Sequence, residues 1–350
     1  MHDATRIIQT DGIVSDGKRI FRAVTQQLGF DWWVIVHTLW TAFCGGDYEG
    51  RISLPRALKQ MAVHHEAVVV AKENGQWNGQ FIKSGCLYVP IPGRRLCIQF
   101  PGKACSFGDK ACGLYVNRGT SRWPGYATVD NFEDSQYLIL IPDELADYGF
   151  LVEPLAICQH TIRTALEFRL LNQEPVAVVG LGVLGLLTAT EMVDMGIEVV
   201  GYDIYATGPR REAFDMLGPM ATFVASEPKS LKMNAGRYPL VIEIAGGQRS
   251  LVDALSLVEM GGTILAVGIP MCDDVLSAHK DIVVKGATVK GIVSADRLDY
   301  MQAVNALRLW FHTRPEFLNK VVTHRIRYED FEKALAIDPK DRIKVALAFN

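Results

Sequence analysis

The sequence lacks an apolar run long enough to span a membrane. Its longest such run, residues 177–187, is interrupted by glycines, whereas a membrane-spanning helix needs about 20 consecutive apolar residues. The opening residues, MHDATRIIQTDG, also lack the apolar core of a secretory signal peptide. From these absences we predict a cytoplasmic protein with no membrane partner.

Charge of either sign is in little excess, since 36 Lys and Arg stand against 39 Asp and Glu, a net charge of −3. Such a balance gives no broad basic surface of the kind that attracts nucleic acid, and we predict no nucleic-acid partner. The 350 residues, 49% of them hydrophobic, are enough for two domains with cores of their own.

Paired cysteine motifs are missing, because the seven cysteines include no CxxC pair. Without an export signal the thiols are expected to be reduced, and so to serve in packing or as metal ligands. Cys97, Cys105 and Cys112 are separated by seven and six residues. They lack a fourth ligand, because the spacing and the adjacent Lys110 argue against Asp109. We therefore predict no structural zinc site.

The pattern of the sequence changes at Phe150. Before it, residues 33–89 hold short apolar strands separated by turn signals such as Glu73-Asn74-Gly75, which predict an antiparallel, barrel-like region. Residues 94–130 are rich in glycine and cysteine and are predicted to form a long loop or lobe. After Phe150, a helix over 151–171 precedes apolar strands that alternate with helices, which is typical of a parallel sheet covered on both faces.

A glycine motif, Gly180-x-Gly182-x-x-Gly185, follows the first of these strands and opens a helix. Gly180 permits a tight turn, Gly182 lets the backbone approach a pyrophosphate, and Gly185 lets helix and strand pack closely. Val183 and Leu184 begin the helix, whose free N–H groups point at the phosphates. The motif in this context predicts a dinucleotide site.

Asp203 ends the next strand, 18 residues after Gly185, where a carboxylate typically binds the ribose 2′-hydroxyl of NAD and repels the 2′-phosphate of NADP. The alternative is an ordinary turn aspartate at a strand end. Arg210 and Arg211 are either solvated residues of a first helical turn or ligands for a 2′-phosphate. We predict NAD as the cofactor, with NADP less favoured.

Candidate metal ligands are Cys44, the run His64-His65-Glu66 and Glu153. A catalytic zinc usually takes three ligands from Cys, His and Asp or Glu and keeps one position open. Each residue has a simpler interpretation: Cys44 as packing, the histidines as polar residues at a strand start, and Glu153 as a favourable charge at a helix N-terminus.

Taken together and in order, these motifs resemble the zinc-containing medium-chain dehydrogenase/reductase superfamily, and its polyol (sorbitol-type) and archaeal glucose dehydrogenases most. The matching motifs are CGGD at 44–47, HHE at 64–66, EPL at 153–155, the glycine motif at 180–185 and GGTILAVG at 261–268. The resemblance covers nearly the whole chain, up to a final strand IKVALAF.

The resemblance implies an α/β fold with two domains. A GroES-like β-barrel catalytic domain would take residues 1–155 and 297–350. A Rossmann domain with a doubly wound parallel sheet would take residues 156–296, with the active site in the cleft between the domains. Val267 and Gly268 would contribute to the cofactor site, and edge strands of the Rossmann domains would pair in a homodimer or homotetramer.

Position by position, the resemblance implies one catalytic zinc bound by Cys44, His65 and Glu66, with Glu153 as a further, sometimes exchangeable ligand. Asp47 would orient a ligand, as carboxylates beyond the direct ligands do. The zinc would act as a Lewis acid on a small-molecule hydroxyl or carbonyl oxygen. Hydride would pass between NAD and a secondary alcohol of the polyol, sugar or cyclitol type.

The proton path departs from this pattern. Gly46 stands where relatives carry a Ser or Thr that relays the alcohol proton, and Glu49 stands where they often have histidine. Tyr48, Glu49, a water molecule or His64 are therefore the candidates for carrying the proton. His64 itself occupies a position where the family has glycine.

Two other functions stay open at this point. One is a zinc-free, NADPH-dependent enzyme of the quinone- or enone-reductase type, and the other is a catalytically silent nucleotide-binding relative. The substrate is also open, since Arg118, Arg122 and Trp123 could bind an anionic or polyhydroxylated substrate or could lie on a solvated surface.

Overall fold

The computed structural model describes residues 5–15, 20–30, 33–48, 61–77, 80–95, 115–118, 122–123, 125–168, 171, 174–270 and 276–349. The predicted proton-path residue Glu49 and the cysteine group Cys97, Cys105 and Cys112, with Asp109, lie outside this part of the chain. Arg118, Arg122 and Trp123 are described only in their backbone. No helix in the described ranges is long and apolar enough to cross a membrane.

The first part of the chain is built of short strands around one short helix. The strands are β1 (Thr5–Ser15), β2 (Ile20–Phe30), β3 (Val34–Ala42), β4 (Met61–Ala62), β5 (Glu66–Ala71), β6 (Gly75–Trp77), β7 (Gln80–Ile82), β8 (Leu87–Pro90), β9 (Gly93–Arg95), β10 (Tyr115–Arg118), β11 (Arg122–Trp123), β12 (Asp130–Glu133) and β13 (Leu138–Leu140). The helix, α1 (Gly45–Tyr48), directly follows β3.

Helices and strands alternate in the second part. The helices are α2 (Val152–Glu167), α3 (Val183–Asp194), α4 (Pro209–Asp215), α5 (Pro228–Met233), α6 (Ser250–Leu257), α7 (Leu276–Lys285), α8 (Arg297–Thr313), α9 (Pro315–Val321) and α10 (Phe331–Leu335). The strands are β14 (Val176–Val179), β15 (Val199–Asp203), β16 (Ala221–Ala225), β17 (Tyr238–Glu243), β18 (Val258–Ala266), β19 (Thr288–Gly291), β20 (Val322–Arg327) and β21 (Lys344–Ala348).

Two sheets organise these elements. A seven-stranded mixed sheet has the order β13-β8-β5-β3-β21-β20, with β12 also paired to β3. The last strand of the chain, β21, therefore returns to the first part and pairs antiparallel with β3. A six-stranded sheet has the order β16-β15-β14-β17-β18-β19, and all its neighbouring strands are parallel.

The parallel sheet confirms the predicted α/β class. Its strand order reverses direction at β14, so that the chain runs outward to β16 and then crosses to β17. Ligands of doubly wound sheets bind at such a switch point, beyond the carboxyl ends of the strands. In this fold, the loops that follow β14 and β17 form the switch point.

One predicted helix boundary was wrong, since the helix predicted over 151–171 ends at Glu167. Further along the chain, α6 ends at Leu257, and Val258 already pairs with Tyr238 in the parallel sheet. The segment 94–130, predicted to form a long loop or lobe, contributes in its described part to one small sheet of strands β9, β10 and β11. Pairing with other strands accounts for the end of α6 and for the strands within 94–130.

The predicted division at residues 155 and 297 stays a prediction. The first boundary lies inside α2, and the second coincides with the start of α8. These two helices pack against each other. Arg163 on α2 donates two hydrogen bonds of 2.9 Å to the buried carboxylate of Asp299 on α8. The same carboxylate accepts from the backbone N–H of Asp296 and so completes a capping box at the start of α8.

A Glu191→Gln substitution on α3 should stabilise the protein at alkaline pH. Burial, together with the charge of Asp194, raises the pKa of Glu191 to about 7, although the side-chain amide of Gln159 donates to it at 2.7 Å. The unfolded chain therefore ionises at lower pH than the folded chain, and stability falls as pH rises from about 4.5 to about 7. A glutamine keeps the hydrogen bond without the charge.

We expect the free energy of unfolding of Glu191→Gln at pH 8 to exceed that of the parent by an amount on the order of 1 kcal/mol after solvent screening, and its melting temperature to be higher accordingly. At pH 4.5 the variant and the parent should have the same melting temperature. The exposed Glu198, substituted in the same way, is the control. A difference in melting temperature between variant and parent that stays constant with pH would contradict the expectation.

Candidate metal and nucleotide sites

The segment after β3 turns sharply into α1 and presents Cys44 half-buried at the turn. The backbone N–H of Cys44 donates to Oδ2 of the buried Asp47 at 2.9 Å. Burial raises the pKa of the Cys44 thiol well above its usual value, and the carboxylates of Asp47 and Glu66 raise it further. A nearby cation would be needed to favour the thiolate.

Three predicted ligands meet at one point of the structure. Glu66 begins β5 and His65 directly precedes it, while Glu153 lies in the first turn of α2. One ligand atom from each lies within 4.8 Å of the others, and His65 Nε2 is 3.9 Å from Glu153 Oε1. Cys44 is not part of this cluster.

The chemistry of this cluster fits a divalent cation. Imidazole nitrogen and carboxylate oxygen are ordinary zinc ligands. All three residues are buried, and burial raises the pKa of both Glu66 and Glu153. Two buried carboxylates are costly unless cations compensate them, and the ammonium of Lys344 beside Glu66 offsets this cost only in part, since the pKa of both carboxyls stays raised. Buried His65 Nδ1 and Asp47 Oδ1 also lack partners in the described structure.

One residue of the site, Lys344, was missed in the sequence. It lies on β21 and is 1% exposed. Its Nζ donates to both oxygens of Glu66, at 2.8 and 2.6 Å, and to the backbone carbonyl of Phe43 at 3.0 Å. The only signal for it was a charged residue inside the otherwise apolar strand KVALAF.

His64 is buried beside this cluster in a left-handed conformation, with φ of 64°. Such a conformation is unfavourable for a residue other than glycine. Its Nδ1 lies 3.0 Å from the Thr41 hydroxyl, and its buried Nε2 has no partner in the described structure. Burial lowers the pKa of His64 to about 4, so the neutral ring is the form present near pH 7.

Tyr48 is the second predicted proton-path residue that the structure describes. The Tyr48 ring stacks on the Phe43 ring, with 4.9 Å between the ring centroids. The guanidinium of Arg342 lies 3.4 Å from the centroid of the Tyr48 ring. Burial raises the pKa of the Tyr48 phenol. A neutral hydroxyl is therefore placed next to the segment that carries Cys44.

The glycine motif has the geometry that its role requires. Gly180 has a φ of 101°, in the region that favours glycine. A Cβ on Gly185 would lie 1.8 Å from the carbonyl oxygen of Gly180, whereas a Cβ on Gly182 would meet nothing within 4 Å. Gly182 therefore borders open space at the N-terminus of α3, which begins with Val183 and Leu184.

Asp203 is buried at the end of β15 and organises this loop. Its Oδ2 accepts from the N–H of Leu181 at 2.7 Å, and its Oδ1 accepts from the N–H of Tyr205 at 2.8 Å. Arg210 lies 3.6 Å from the same carboxylate, while Arg211 is exposed toward Asp215 in an i,i+4 pair. The two arginines thus differ: only Arg210 contacts Asp203.

Val267 and Gly268 lie at the same edge of the sheet. Their N–H groups both donate to the carbonyl oxygen of Glu243, at 2.7 and 3.1 Å. A Cβ on Gly268 would lie 2.1 Å from the nitrogen of Gly246, whose N–H donates to the buried Glu243 side chain at 2.9 Å. Glu243 shapes the loop after β17, although no sequence motif marks it.

The comparisons agree with this architecture. The sequence model of the family described as "Glucose dehydrogenase C-terminus" matches residues 146–349. Glucose 1-dehydrogenase of Methanocella arvoryzae is 25% identical over 332 residues, which cover 88% of this chain and 90% of that protein. Glucose 1-dehydrogenase of Thermoproteus tenax is 27% identical over 332 residues, with 90% and 91% covered.

Solved structures show the same fold over almost the whole chain. Haloferax mediterranei glucose dehydrogenase, solved in complex with NADP, Zn and gluconolactone, has a TM-score of 0.78 at 22% identity, covering 97% of this chain and 99% of that one. The 2R,3R-butanediol dehydrogenase of Bacillus subtilis has a TM-score of 0.79 at 20% identity, with 97% and 100% covered.

The predicted α/β fold, here a mixed sheet together with a doubly wound parallel sheet, is therefore confirmed. The matched residues 146–349 make up more than half of the 350-residue chain. The chain therefore belongs to the glucose dehydrogenase C-terminus family.

Proposed function

We propose that this dehydrogenase uses a single zinc ion to transfer hydride between NAD and a secondary alcohol of the polyol, sugar or cyclitol type. The observation that carries the proposal is the buried cluster of His65, Glu66 and Glu153, within 4.8 Å of one another. Cys44 is proposed as the fourth protein ligand. The nucleotide would bind at the switch point of the parallel sheet.

Some residues of this site would bind the zinc, and others would hold those ligands in position. His65, Glu66, Glu153 and Cys44 would hold the zinc, which supplies Lewis-acid activation of the substrate oxygen when bound. Asp47 fixes the turn that carries Cys44 by accepting its N–H. Burial of the cluster excludes water and strengthens electrostatic interactions inside it.

For the proton we propose a path through Tyr48 or His64, since Gly46 has no hydroxyl. The Tyr48 hydroxyl and His64 Nε2 are both buried without a partner in the described structure. Either group can form a hydrogen bond to a substrate hydroxyl or to a water molecule that bridges to it. Glu49 lies outside the described residues.

The proposal is tested by zinc content and turnover on the same preparation. We expect one zinc per chain by elemental analysis, and NAD reduction with at least one member of a panel of polyols, sugars and amino-cyclitols. Turnover without zinc, on a quinone or enone with NADPH, would favour the zinc-free reductase. Nucleotide binding without any turnover would favour the silent relative.

NAD rather than NADP is proposed because the buried Asp203 carboxylate faces the glycine loop. Each of its oxygens keeps a lone pair for a ribose hydroxyl. Replacing Asp203 with alanine should weaken NAD binding and relieve the rejection of NADP. Arg210 is the residue that would accommodate a 2′-phosphate, since it lies 3.6 Å from Asp203.

An Arg210→Ala substitution should therefore weaken NADP binding more than NAD binding, by about tenfold in the ratio of the two dissociation constants. The matched control is Arg211→Ala, one residue along, which removes an exposed pair with Asp215 and should leave the ratio unchanged. Titration of both nucleotides by fluorescence measures the ratio. Equal weakening of NAD and NADP would show that Arg210 does not discriminate between them.

A homodimer or homotetramer is proposed through the edge of the parallel sheet. Among the described strands, β19 pairs only with β18, and all four of its residues are exposed. Val289 on this strand and the nearby Val293 are 36% and 57% exposed. An unpaired strand edge with apolar side chains favours association. A cytoplasmic location stays a prediction from the sequence.

A Val289→Lys substitution should shift the protein toward monomer in sedimentation velocity, because a charge would be buried at the edge-strand contact. The control is Val24→Lys on β2, an exposed valine at another strand edge. We expect the control to keep the assembly of the parent. Unchanged assembly in Val289→Lys would place the interface elsewhere.

A further inference from the structure

The ring of His64 is held by specific contacts although its backbone is in an unfavourable conformation. Its φ of 64° lies in the left-handed region, which is uncommon for residues other than glycine. The ring is fully buried, with Nδ1 at 3.0 Å from the Thr41 hydroxyl and a T-shaped contact to the Phe43 ring at 4.3 Å between centroids. Such conformations persist where the surroundings over-determine them, and they cluster at functional sites.

The turn beside this ring, residues 43–48, is intrinsically weak. Gly45 and Gly46 begin the four-residue helix α1, and glycine is unfavourable in a helix because it loses the most backbone freedom on ordering. A helix of one turn is also too short to be stable by its own hydrogen bonds. The N–H of Cys44 donates to Asp47 Oδ2 at 2.9 Å and orders the turn from within. Further support has to come from neighbouring side chains.

His64 meets this turn on both sides of Cys44. Before the cysteine, its ring packs against Phe43, whose ring in turn stacks on Tyr48 at 4.9 Å. After the cysteine, burial lowers the pKa of His64 and the charge of Asp47 opposes this effect, so the carboxylate lies near the ring. His64 Nε2 and Asp47 Oδ1 are both buried and unpartnered among the described residues. An Nε2–H can donate to this oxygen, directly or through one water molecule.

We propose that His64 is a positioning residue that braces the turn and keeps the Cys44 thiol beside the three-residue metal cluster. The inference rests on the proposed function, because it takes Cys44 as a zinc ligand. The thiol lies outside the cluster, but the carboxylate of Glu66 is near enough to add to the effect of burial on its pKa. The position of the turn therefore determines whether the thiolate reaches a metal bound there. Of the two proton-path candidates, this role leaves Tyr48.

The test replaces zinc with Co²⁺ and compares His64→Gly with the parent. Glycine adopts the left-handed conformation without strain, so the substitution removes the ring but suits the backbone. A thiolate bound to Co²⁺ gives a near-ultraviolet charge-transfer absorption that imidazole and carboxylate ligands do not give. We expect this absorption in the Co²⁺-loaded parent, its absence in Cys44→Ser, and the loss of most of it in His64→Gly. Chelator competition should show an affinity of His64→Gly for Co²⁺ that is lower by at least about tenfold.

A purely structural role for His64 gives a different result. If the ring only stabilised the fold, folded His64→Gly would keep the thiolate absorption and the Co²⁺ affinity of the parent, whatever its melting temperature. That outcome would overturn the proposal.

Thr41→Val gives a second, milder test should His64→Gly not fold. Valine has nearly the shape of threonine but offers no hydroxyl to Nδ1 of His64, so the ring loses the partner that orients it. We expect the thiolate absorption to fall, and an unchanged absorption would overturn the proposal. The matched control is Thr38→Val on the same strand, since Thr38 is equally buried and bonds to the Tyr126 carbonyl and the Asn131 amide. It should keep the absorption and the Co²⁺ affinity of the parent.

Failure of this inference differs from failure of the proposed function. If the parent binds neither zinc nor Co²⁺, or binds Co²⁺ without the thiolate absorption, the proposed ligand set is wrong and the inference fails with it. If the parent shows the absorption and the folded His64 and Thr41 variants match it, only the role of His64 is refuted.

Discussion

A His65→Ala variant is expected to lose its zinc and, with it, its dehydrogenase turnover. His65 contributes the nitrogen of the cluster, with Nε2 at 3.9 Å from Glu153 Oε1, and its removal leaves two buried carboxylates with fewer ligands around the cation. Substitution of a residue that only supports a metal ligand lowers metal affinity roughly 10–100-fold. Loss of a direct ligand should lower zinc affinity, measured by chelator competition, by more than this range, and kcat/KM should fall by a similar factor.

His37→Ala is the matched control for this substitution. His37 lies on β3 in the same sheet and pairs with Asp130 at 3.0 Å, at the surface side of the strand. The control should keep its zinc content and turnover. If His65→Ala kept a full complement of zinc and full turnover, the proposed zinc site would be wrong.

A second large effect is expected from two neighbouring glycines that respond differently to the same change. Gly185→Ala places a methyl group 1.8 Å from the carbonyl oxygen of Gly180, so the loop and α3 must separate. We expect a loss of about 3 kcal/mol or more in the free energy of unfolding, as for severe overpacking. A denaturant titration measures this directly.

Gly182→Ala should fold like the parent, because its methyl group meets no atom within 4 Å. If that open space receives the pyrophosphate, the methyl group will instead obstruct the nucleotide, and NAD binding should weaken by at least about a hundredfold. Gly291→Ala, where a Cβ likewise meets nothing within 4 Å, is the control for binding. Normal NAD affinity in Gly182→Ala would move the pyrophosphate away from this loop.

Much of the nucleotide-binding part could be predicted from the chain because its signals are local. The strand before Gly180, the glycine spacing and Asp203 all lie within one βαβ unit, where hydrophobic pattern and turn chemistry act together. The structure confirms the α/β class and places Asp203 against the glycine loop through the N–H of Leu181. Boundaries such as the end of α6 at Leu257 were less predictable, because β18 begins there by pairing with a distant strand.

The first part of the chain carried weaker signals. The long hairpin of β1 and β2 was not predicted, although its strands pair over eleven residues each. The segment 94–130 was predicted to be a long loop or lobe and contains strands in its described part. β propensity responds to the partner strand and to burial more than to the local residues, so neither the hairpin nor these short strands carried a clear local signal.

By itself, the sequence determined the order of the motifs, the α/β class and the residue types able to bind a metal and a nucleotide. Only the tertiary structure decided which side chains meet: it brought Glu153 from α2 to His65 and Glu66 at the beginning of β5, and it left Cys44 outside that cluster. It also delivered Lys344, 278 residues from Glu66 along the chain, to the same carboxylate. No local pattern encodes such a contact, because it arises from pairing the last strand with β3.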